Sequence, residues 1–309
     1  MSDSRKVYDV VIIGGGPAGL SAGVYTARAR LDSLLVERGA VGGQIINTEW
    51  VENYPGIDSV GGIELTEAMR KQAEKFGLKT VFSGVTGIDF KGKEKVVRTS
   101  KEEYTAKAVI IAGGSERQKL GIPGEAEYTG KGVSYCATCD GAFFREKEVA
   151  VVGGGNAAIT EALELTKFAS KVSVIHRRDE LRATKILQEK AFAEPKIEVL
   201  WDSVVDEIKG DNFVTELKIS NVKTKKKSGL TVSGVFMAVG FKPNTEYLKG
   251  VLELDTIGSI IVDVNMETDV PGVFAAGDIR SSSIRQVIAA AGDGAVAAVN
   301  AERYISGLH

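Results

Sequence analysis

The sequence has few of the residues that build disulfide-stapled or metal-centred proteins. Its 309 residues include only two cysteines and two histidines. A secreted fold held by disulfides needs more cysteines, spread along the chain, and a structural zinc site needs about four ligands. One of the histidines, His309, is the last residue. The composition therefore predicts no metal site and no disulfide framework.

The chain also lacks a strong charge of either sign and a long apolar run. Its formal net charge is -2, and no long basic run points to nucleic acid. No stretch approaches the ~18 apolar residues of a membrane span, and the polar segment Met1–Lys6 differs from a signal peptide. We therefore expect a cytoplasmic protein, and the length suggests two domains.

What the sequence does contain is a repeat. An apolar strand, a glycine-rich loop, a helix and a second strand occur in this order twice. In both copies, the last residue of the loop lies 18 residues before a charged or ionisable residue at the end of the second strand. These pairs of loop and residue are Gly14–Gly19 with Glu37, and Gly153–Ala158 with His176. Two such units at matched spacing are a stronger signal than one glycine motif. They predict an α/β fold of two Rossmann-like nucleotide-binding domains.

The second domain is predicted to be inserted into the first. The segment Asn244–His309 is too short for a third domain, so we expect it to return to the first. The first nucleotide-binding domain is predicted to comprise residues 1–114 and 245–309, and the inserted second one, which carries both cysteines, residues 115–244. The chain crosses between them near Gly113–Ser115 and Gly240–Pro243, which are rich in glycine or proline.

The first loop has the pattern Gly14-x-Gly16-x-x-Gly19 after a strand and before a helix. Its glycines allow a pyrophosphate to approach the backbone at the helix N-terminus. Glu37 can accept hydrogen bonds from a ribose hydroxyl but would repel a 2′-phosphate, so this site suits FAD or NAD. Asp278, after an apolar strand, could bind a ribityl or ribose hydroxyl of the flavin, and the next helix begins near Arg285.

The second loop differs at the residues that would meet the ribose. In place of an acidic residue the chain has His176, Arg177 and Arg178, followed by Arg182. The fork of donors on arginine matches a phosphate dianion. The second site therefore suits NADPH. Its predicted residues are Gly153, Gly155, Asn156, Ala157, His176, Arg177, Arg178 and Arg182.

The only two cysteines form a Cys-x-x-Cys pair, Cys136 and Cys139, followed by Asp140. In a reducing compartment, this spacing is typical of a redox dithiol. Such a dithiol could exchange electrons with a flavin and with a partner disulfide. Asp140 could supply or accept the accompanying proton.

With these motifs assembled, the chain resembles the low-molecular-weight thioredoxin reductase family of bacteria and archaea over nearly its whole length. The segment around the cysteines and the His-Arg-Arg-Asp-x-x-Arg motif are the specific parts. Thr160 departs from the pattern, since many relatives have an acidic residue there. The motifs that carry the resemblance are Gly14–Gly19, Gly42–Gln44, Glu52–Gly56, Leu120–Glu125, Ser134–Gly141, Gly153–Ala158, His176–Asp179, Arg182–Ala183, Gly272–Asp278 and Arg285–Gln286.

The resemblance implies a homodimer with one FAD per chain, hydride transfer from NADPH, and reduction of oxidised thioredoxin. It also implies that Cys139 lies nearest the flavin, that Cys136 attacks the partner disulfide and that Asp140 is the proton donor. The predicted FAD-binding residues are Gly14, Gly16, Pro17, Ala18, Gly19, Glu37, Arg38, Gly42, Gly43, Gln44, Asn53, Asp278, Arg285, Gln286 and Val287.

Two other functions stay open at this point. A related flavoprotein could pass electrons to ferredoxin or oxygen, although such relatives usually lack the cysteine pair. A flavin-binding sensor or scaffold without turnover is the second alternative. The sequence does not identify the small redox partner, which is thioredoxin, a glutaredoxin-like protein or a similar disulfide protein.

Overall fold

The computed structural model describes residues 6–48, 50–90, 92 and 94–307. The segment before Lys6 and the C-terminal His309 lie outside the described residues. Contacts between Cα atoms divide the chain into two compact units, Met1–Glu116 with Lys242–His309, and Arg117–Phe241. These limits fall within a few residues of the predicted crossings; what each unit binds stays a prediction. Two short strands, Ser115–Arg117 and Phe241–Pro243, lie at the crossings.

The first unit is built on a mixed seven-stranded sheet. Its central strand, Val7–Ile13, pairs in parallel with Ser33–Glu37 on one side and with Glu103–Ile111 on the other. From Val10 to Ile13 this strand is apolar and buried on both faces, as is typical of a parallel sheet. The other strands are Lys79–Phe82, Val85–Asp89, Lys95–Thr99 and Val273–Ala275.

The described residues of the first unit include three α-helices. The helix Pro17–Arg28 packs against the long C-terminal helix at Gly294, where an added Cβ would lie 2.0 Å from the Ala18 carbonyl oxygen. Only glycine permits this close approach of the two helices. The helices are Pro17–Arg28, Gly62–Lys75 and Val287–Ser306, and short 3-10 helices cover Gly43–Asn47, Glu246–Leu248 and Gly277–Ile279.

The second unit repeats the design on a smaller scale. Its five-stranded parallel sheet is centred on Glu148–Val152, which pairs with Lys171–Ile175 and with Gly234–Met237. Ile197–Leu200 and Val133–Ser134 form the edges. A separate antiparallel sheet contains Ser203–Gly210, Val214–Asn221 and Lys227–Thr231. The helices are Ala137–Asp140, Asn156–Leu165 and Lys185–Ala193, with a 3-10 helix over Gly141–Phe144.

The predicted α/β fold with two Rossmann-like units, one inserted in the other, is confirmed. One element is shorter than the pattern predicts: a helix is expected over Glu180–Phe192, but it begins at Lys185. The reason is local hydrogen bonding. The amides of Arg182 and Ala183 donate to the Gly154 carbonyl oxygen, and the Thr184 amide donates to Asn156 Oδ1. These bonds fold the segment back on the glycine loop before the helix can start.

Candidate cofactor and dithiol sites

The first glycine loop has the close packing that a pyrophosphate cradle needs. Gly14 has φ of +103°, and a Cβ there would lie 2.4 Å from the Ala112 carbonyl oxygen. A Cβ at Gly19 would lie 1.8 Å from the carbonyl oxygen of Gly14. Gly16 is the N-cap of the helix Pro17–Arg28, has no side-chain capping bond, and precedes Pro17 at the first helical position. The first-turn amides, including that of Ala18, are therefore left for an anion.

Glu37 lies at the end of the neighbouring strand and faces this loop. Its Oε2 accepts a hydrogen bond of 2.6 Å from the Gly15 amide, and its Oε1 accepts one of 2.7 Å from the Gly39 amide. The two bonds fix the carboxylate while each oxygen keeps a lone pair for a ribose hydroxyl. The geometry thus fits a nucleotide with a free 2′-hydroxyl.

A second glycine pair faces the first loop. Gly42 and Gly43 both have positive φ, and the position of a Gly43 Cβ would be 3.1 Å from Gly16 Cα. The Gly42 amide donates to the Gly15 carbonyl oxygen at 2.8 Å. Gln44 follows in the 3-10 helix Gly43–Asn47. Arg38, in contrast, is exposed and forms a surface ion pair with Glu116 at 3.1 Å.

The structure brings together predicted flavin contacts that are far apart in sequence. Asn53 Nδ2 donates a hydrogen bond of 3.1 Å to Gln286 Oε1, across a separation of 233 residues. Gln286 is the N-cap of the helix Val287–Ser306. Val287 packs on a small apolar cluster, and Arg285 has φ of +54°. These residues converge at one helix N-terminus within the first unit.

Asp278 lies in a turn that a buried ion pair supports. Asp293 binds Arg280 in a bidentate pair, with distances of 2.7 and 2.9 Å, and its Oδ2 also accepts from the Gly277 amide at 3.0 Å. Asp278 follows Gly277 and accepts a hydrogen bond of 3.2 Å from the Ser283 hydroxyl. Asp293 therefore sets the path of the backbone that carries Asp278.

We expect Asp293→Ala to lower the free energy of unfolding by about 3–5 kcal/mol, because it leaves the Arg280 charge buried and unpaired. The ion pair is 16% and 10% exposed, so water can replace little of the lost interaction. Urea titration of the purified variants measures the change.

Glu103→Ala is the matched control, since it breaks an ion pair of the same unit with Arg98 that is 46% and 49% exposed. A surface pair of this kind contributes about 0–1 kcal/mol. Equal effects of the two substitutions would show that the Arg280–Asp293 pair has no special role.

The second loop has the same construction as the first. Gly153 has φ of +152°, and a Cβ there would lie 2.5 Å from the Ala238 carbonyl oxygen. Gly155 is the N-cap of the helix Asn156–Leu165 and has no side-chain capping bond. Asn156 uses Oδ1 to hold the Thr184 amide, and Ala157 is exposed in the first turn. The first turn of this helix again presents amides that suit an anion.

The cationic residues of this site divide into two kinds. His176 is buried, its Nε2 lies 3.0 Å from the Glu180 carbonyl oxygen, and its ring lies against Gly154. Because a carbonyl oxygen only accepts, Nε2 carries the proton, and burial holds the pKa of His176 below its usual value. Arg177, Arg178 and Arg182 are exposed, and the described residues provide no ion-pair partner for their side chains. His176 thus supports the loop, while the three arginines are available for a phosphate.

The cysteines lie at the start of a short helix in the second unit. They form a disulfide with Cα atoms 5.3 Å apart. Cys136 is the N-cap of the helix Ala137–Asp140, and its Sγ accepts a hydrogen bond of 3.2 Å from the Cys139 amide. Cys139 is exposed and Cys136 is half-buried. This arrangement leaves the pair open to exchange while its backbone is fixed by the helix.

Two carboxyl groups of the second unit, Asp140 beside Cys139 in sequence and Glu161 on the helix Asn156–Leu165, have raised pKa values. Burial raises the pKa of Asp140, against the opposing effects of a hydrogen bond from Ser134 and the charge of Arg117. Burial also raises the pKa of Glu161 to about 7, again opposed by Arg117. Glu161 Oε2 is buried and has no hydrogen-bond partner within the described part of the chain. A protonated acid beside a disulfide can supply a proton to a leaving thiolate.

Comparisons with known proteins agree with the two glycine loops and the cysteine pair described above. A model of the pyridine nucleotide-disulphide oxidoreductase family matches residues 8–294. The chain belongs to this family. The family implies a flavin and a nicotinamide cofactor, in agreement with two nucleotide cradles of different charge. No metal-binding group of His, Cys, Asp and Glu and no helix able to span a membrane occur among the described residues.

Individual members of the family are similar over the whole chain. A thioredoxin reductase from Peptoclostridium acidaminophilum is 49% identical, with 97% of this chain and 98% of that protein covered. One from Bacillus subtilis is 48% identical, with 98% and 96% covered. The crystal structure of a thioredoxin reductase from Streptococcus pyogenes is 48% identical, with a TM-score of 0.94 and coverage of 98% and 100%. The resemblance to thioredoxin reductases is confirmed.

Several residues of this family member escaped the sequence reasoning. Ser134 and Arg117 contact or face the dithiol region, Glu161 adds a buried carboxyl, and Asp293 and Arg280 support the Asp278 turn. Asp293 had a signal, since a charged residue at the centre of an Ala- and Gly-rich helix needs a partner. Ser134 lies in a motif that carries the family resemblance, but its hydrogen bond to Asp140 is visible only in the structure. The roles of Arg117, Glu161 and Arg280 depend on contacts and burial that only the fold creates.

Proposed function

We propose that this chain is an NADPH-dependent thioredoxin-disulfide reductase that uses FAD. The observation that carries the proposal is the Cys136–Cys139 disulfide on the helix that ends at Asp140. The thioredoxin reductases from Bacillus subtilis and Peptoclostridium acidaminophilum support the substrate class. We further propose a cytoplasmic homodimer. The resemblance to thioredoxin reductases supports this part of the proposal.

The first unit would hold FAD and the second NADPH. Glu37 favours a nucleotide without a 2′-phosphate, whereas Arg177, Arg178 and Arg182 favour one that has it. The Gly14–Gly19 and Gly153–Ala158 loops would each hold a pyrophosphate. A flavin held by the first unit would supply two-electron chemistry between the nicotinamide and the Cys136–Cys139 disulfide.

The chain's own residues then carry out thiol–disulfide exchange. The Cys136 thiolate attacks one sulfur of the thioredoxin disulfide, forming a mixed disulfide and releasing the other sulfur as a thiolate. Asp140 gives its proton to that leaving thiolate. Cys139 passes its proton to the Asp140 carboxylate and attacks Cys136 Sγ. This closes the protein disulfide and expels the second thioredoxin sulfur as a thiolate. Asp140 gives that thiolate the proton it took from Cys139, so thioredoxin leaves as a dithiol and Asp140 is left as a carboxylate.

The cofactor proposal is tested on the purified protein. Denaturation should release FAD, near one per chain, and no FMN. Glu37→Arg should reduce FAD retention by at least about tenfold. The substitution replaces a carboxylate that can accept hydrogen bonds from the ribose hydroxyls with a cation that has no acceptor. A colourless protein that FAD cannot reconstitute would refute the assignment of the first unit.

The activity is tested by comparing electron acceptors. With NADPH present, we expect fast oxidation with oxidised thioredoxin and only slow oxidation with ferredoxin or oxygen. A glutaredoxin-like protein from the same organism is the necessary second acceptor. Fast turnover with ferredoxin or oxygen, and none with either disulfide protein, would refute the proposal. It would favour a flavoprotein that passes electrons to ferredoxin or oxygen. No NADPH oxidation with any acceptor would favour a sensor.

A further inference from the structure

Ser134 links the cysteine pair to its neighbouring acid. It lies at the end of the strand Val133–Ser134 and is 5% exposed. Its Oγ accepts a hydrogen bond of 3.1 Å from the Cys136 amide and donates one of 2.5 Å to Asp140 Oδ2. One buried hydroxyl therefore contacts both the backbone of the first cysteine and the carboxyl that follows the second.

The direction of these bonds is fixed by their chemistry. An amide only donates, so the Cys136 amide must use a lone pair of Ser134 Oγ. The single hydroxyl proton is then directed at an acceptor, and Asp140 Oδ2 is much nearer than the alternative, the Cys136 carbonyl oxygen at 3.5 Å. The hydroxyl thus selects one oxygen of Asp140 and leaves the other for a proton.

The backbone at Ser134 does not depend on the hydroxyl. The strand pairs in parallel with Gly234–Met237, in the register Val235 with Val133 and Phe236 with Ser134. The inner residues of this sheet are fully buried, so main-chain bonds and core packing hold the strand in place. Removing the hydroxyl should release Asp140 without displacing the strand.

The charged group that acts on Asp140 is Arg117, and the same guanidinium acts on a second buried carboxyl, Glu161. Arg117 lies at the end of the strand Ser115–Arg117, and its guanidinium stacks 5.2 Å from the centre of the Tyr135 ring. Glu161 lies on the helix that packs against the cysteine helix, and it faces the same guanidinium. Both the hydrogen bond from Ser134 and the charge of Arg117 favour the carboxylate of Asp140, whereas burial favours the acid.

We propose that Ser134 is the positioning residue for the proton transfer of Asp140, holding its carboxyl beside the two cysteines throughout the exchange. The inference rests on the proposed disulfide reductase activity and deepens it. Without the hydroxyl, the Asp140 side chain can rotate away from the leaving sulfur. The loss of a hydrogen bond to its charged form also raises the pKa of Asp140 further.

The test compares side chains of equal shape. Ser134→Thr and Ser134→Val differ only in the hydroxyl, and Ser134→Ala removes it without adding volume. Ser203→Ala is the control, because Ser203 is buried in the same unit and its hydroxyl donates only to the Trp201 carbonyl oxygen at 2.7 Å. Asp140→Asn identifies which limb of the pH profile belongs to Asp140.

For disulfide reduction near pH 7, we expect kcat to fall about tenfold in the Ala and Val variants, the size of one lost charge-assisted hydrogen bond. The limb that Asp140→Asn abolishes should move to higher pH. Ser134→Thr should restore both the rate and the limb, and Ser203→Ala should match the unchanged protein. Reduction of the flavin by NADPH, measured by absorbance, should be equal in all of them.

Two results would overturn the role of Ser134. One is an unchanged rate and profile in Ser134→Ala; the other is a lower rate with the limb unmoved in both Ala and Val variants, which indicates a merely structural residue. Failure of the proposed function is distinguishable, since the unchanged protein would then reduce no disulfide at all. If Ser134→Ala does not fold, the Thr and Val pair decides the question alone.

Discussion

Replacing either cysteine with serine should lower the kcat for disulfide reduction by at least about 10³-fold, as expected when a covalent nucleophile is lost. A serine hydroxyl is not ionised near neutral pH and cannot exchange with a disulfide, whereas a cysteine thiolate can. The structure supports a shared role, since Cys136 and Cys139 form one disulfide and belong to one helical turn.

The two variants should differ in the flavin. Cys139→Ser should leave reduction of the flavin by NADPH intact while no electrons reach a disulfide. Cys136→Ser should also stop disulfide reduction, but we expect the remaining Cys139 thiolate to perturb the visible absorption of the oxidised flavin. Stopped-flow absorbance with NADPH, followed by a disulfide acceptor, separates these steps.

Thr138→Ser is the matched control for the cysteine variants. Thr138 is exposed in the same helical turn, between the two cysteines, and it has no assigned role. An exposed substitution of this kind usually changes stability by less than about 0.5 kcal/mol, so its rate should stay within about twofold. Near-normal disulfide reduction by either cysteine variant would mean that the pair does not conduct the electrons.

The second large effect concerns the choice of nicotinamide. NADPH should exceed NADH in kcat/KM by at least about tenfold, since each arginine contact with a 2′-phosphate contributes roughly 1.5–3 kcal/mol. Changing Arg177 and Arg178 together to alanine should remove most of this preference and leave the use of NADH largely intact. Both guanidinium groups are exposed and lack ion-pair partners within the described part of the chain, so they are available to a 2′-phosphate.

The control for the arginine variant is Lys171→Ala. Lys171 is a cation at the opposite end of the strand that leads to His176, and it pairs with Glu198 at the surface. Its loss changes the net charge of the unit but not the predicted phosphate site. Equal use of NADPH and NADH by the unchanged protein, or an unaltered ratio in the double variant, would refute this assignment.

The sequence predicted those parts of the site whose signal is local. The two glycine loops, Glu37 and the arginines follow their strands at fixed spacing, so a pattern of about 25 residues specifies each cradle. The insertion of one unit in the other was also predictable, because the C-terminal segment was too short to fold by itself.

The remaining features depend on contacts that no local pattern encodes. Asn53 meets Gln286 only because the sheet and the last helix bring them together. His176 belongs to the basic motif in the sequence, yet in the structure its ring packs against Gly154 of the second glycine loop. The helix expected from Glu180 begins at Lys185, since backbone bonds to Gly154 compete with the first helical turn. The role of Ser134 likewise requires the distance to Asp140.

The central claim is that electrons pass from NADPH through the Cys136–Cys139 pair to a thioredoxin disulfide. Its most direct test is an anaerobic titration of catalytic enzyme and excess oxidised thioredoxin with NADPH, in which new thioredoxin thiols are counted. We expect one thioredoxin disulfide to be reduced for each NADPH consumed, and none when Cys136→Ser replaces the unchanged enzyme. NADPH consumption without new thioredoxin thiols, or full thiol yield from Cys136→Ser, would contradict it.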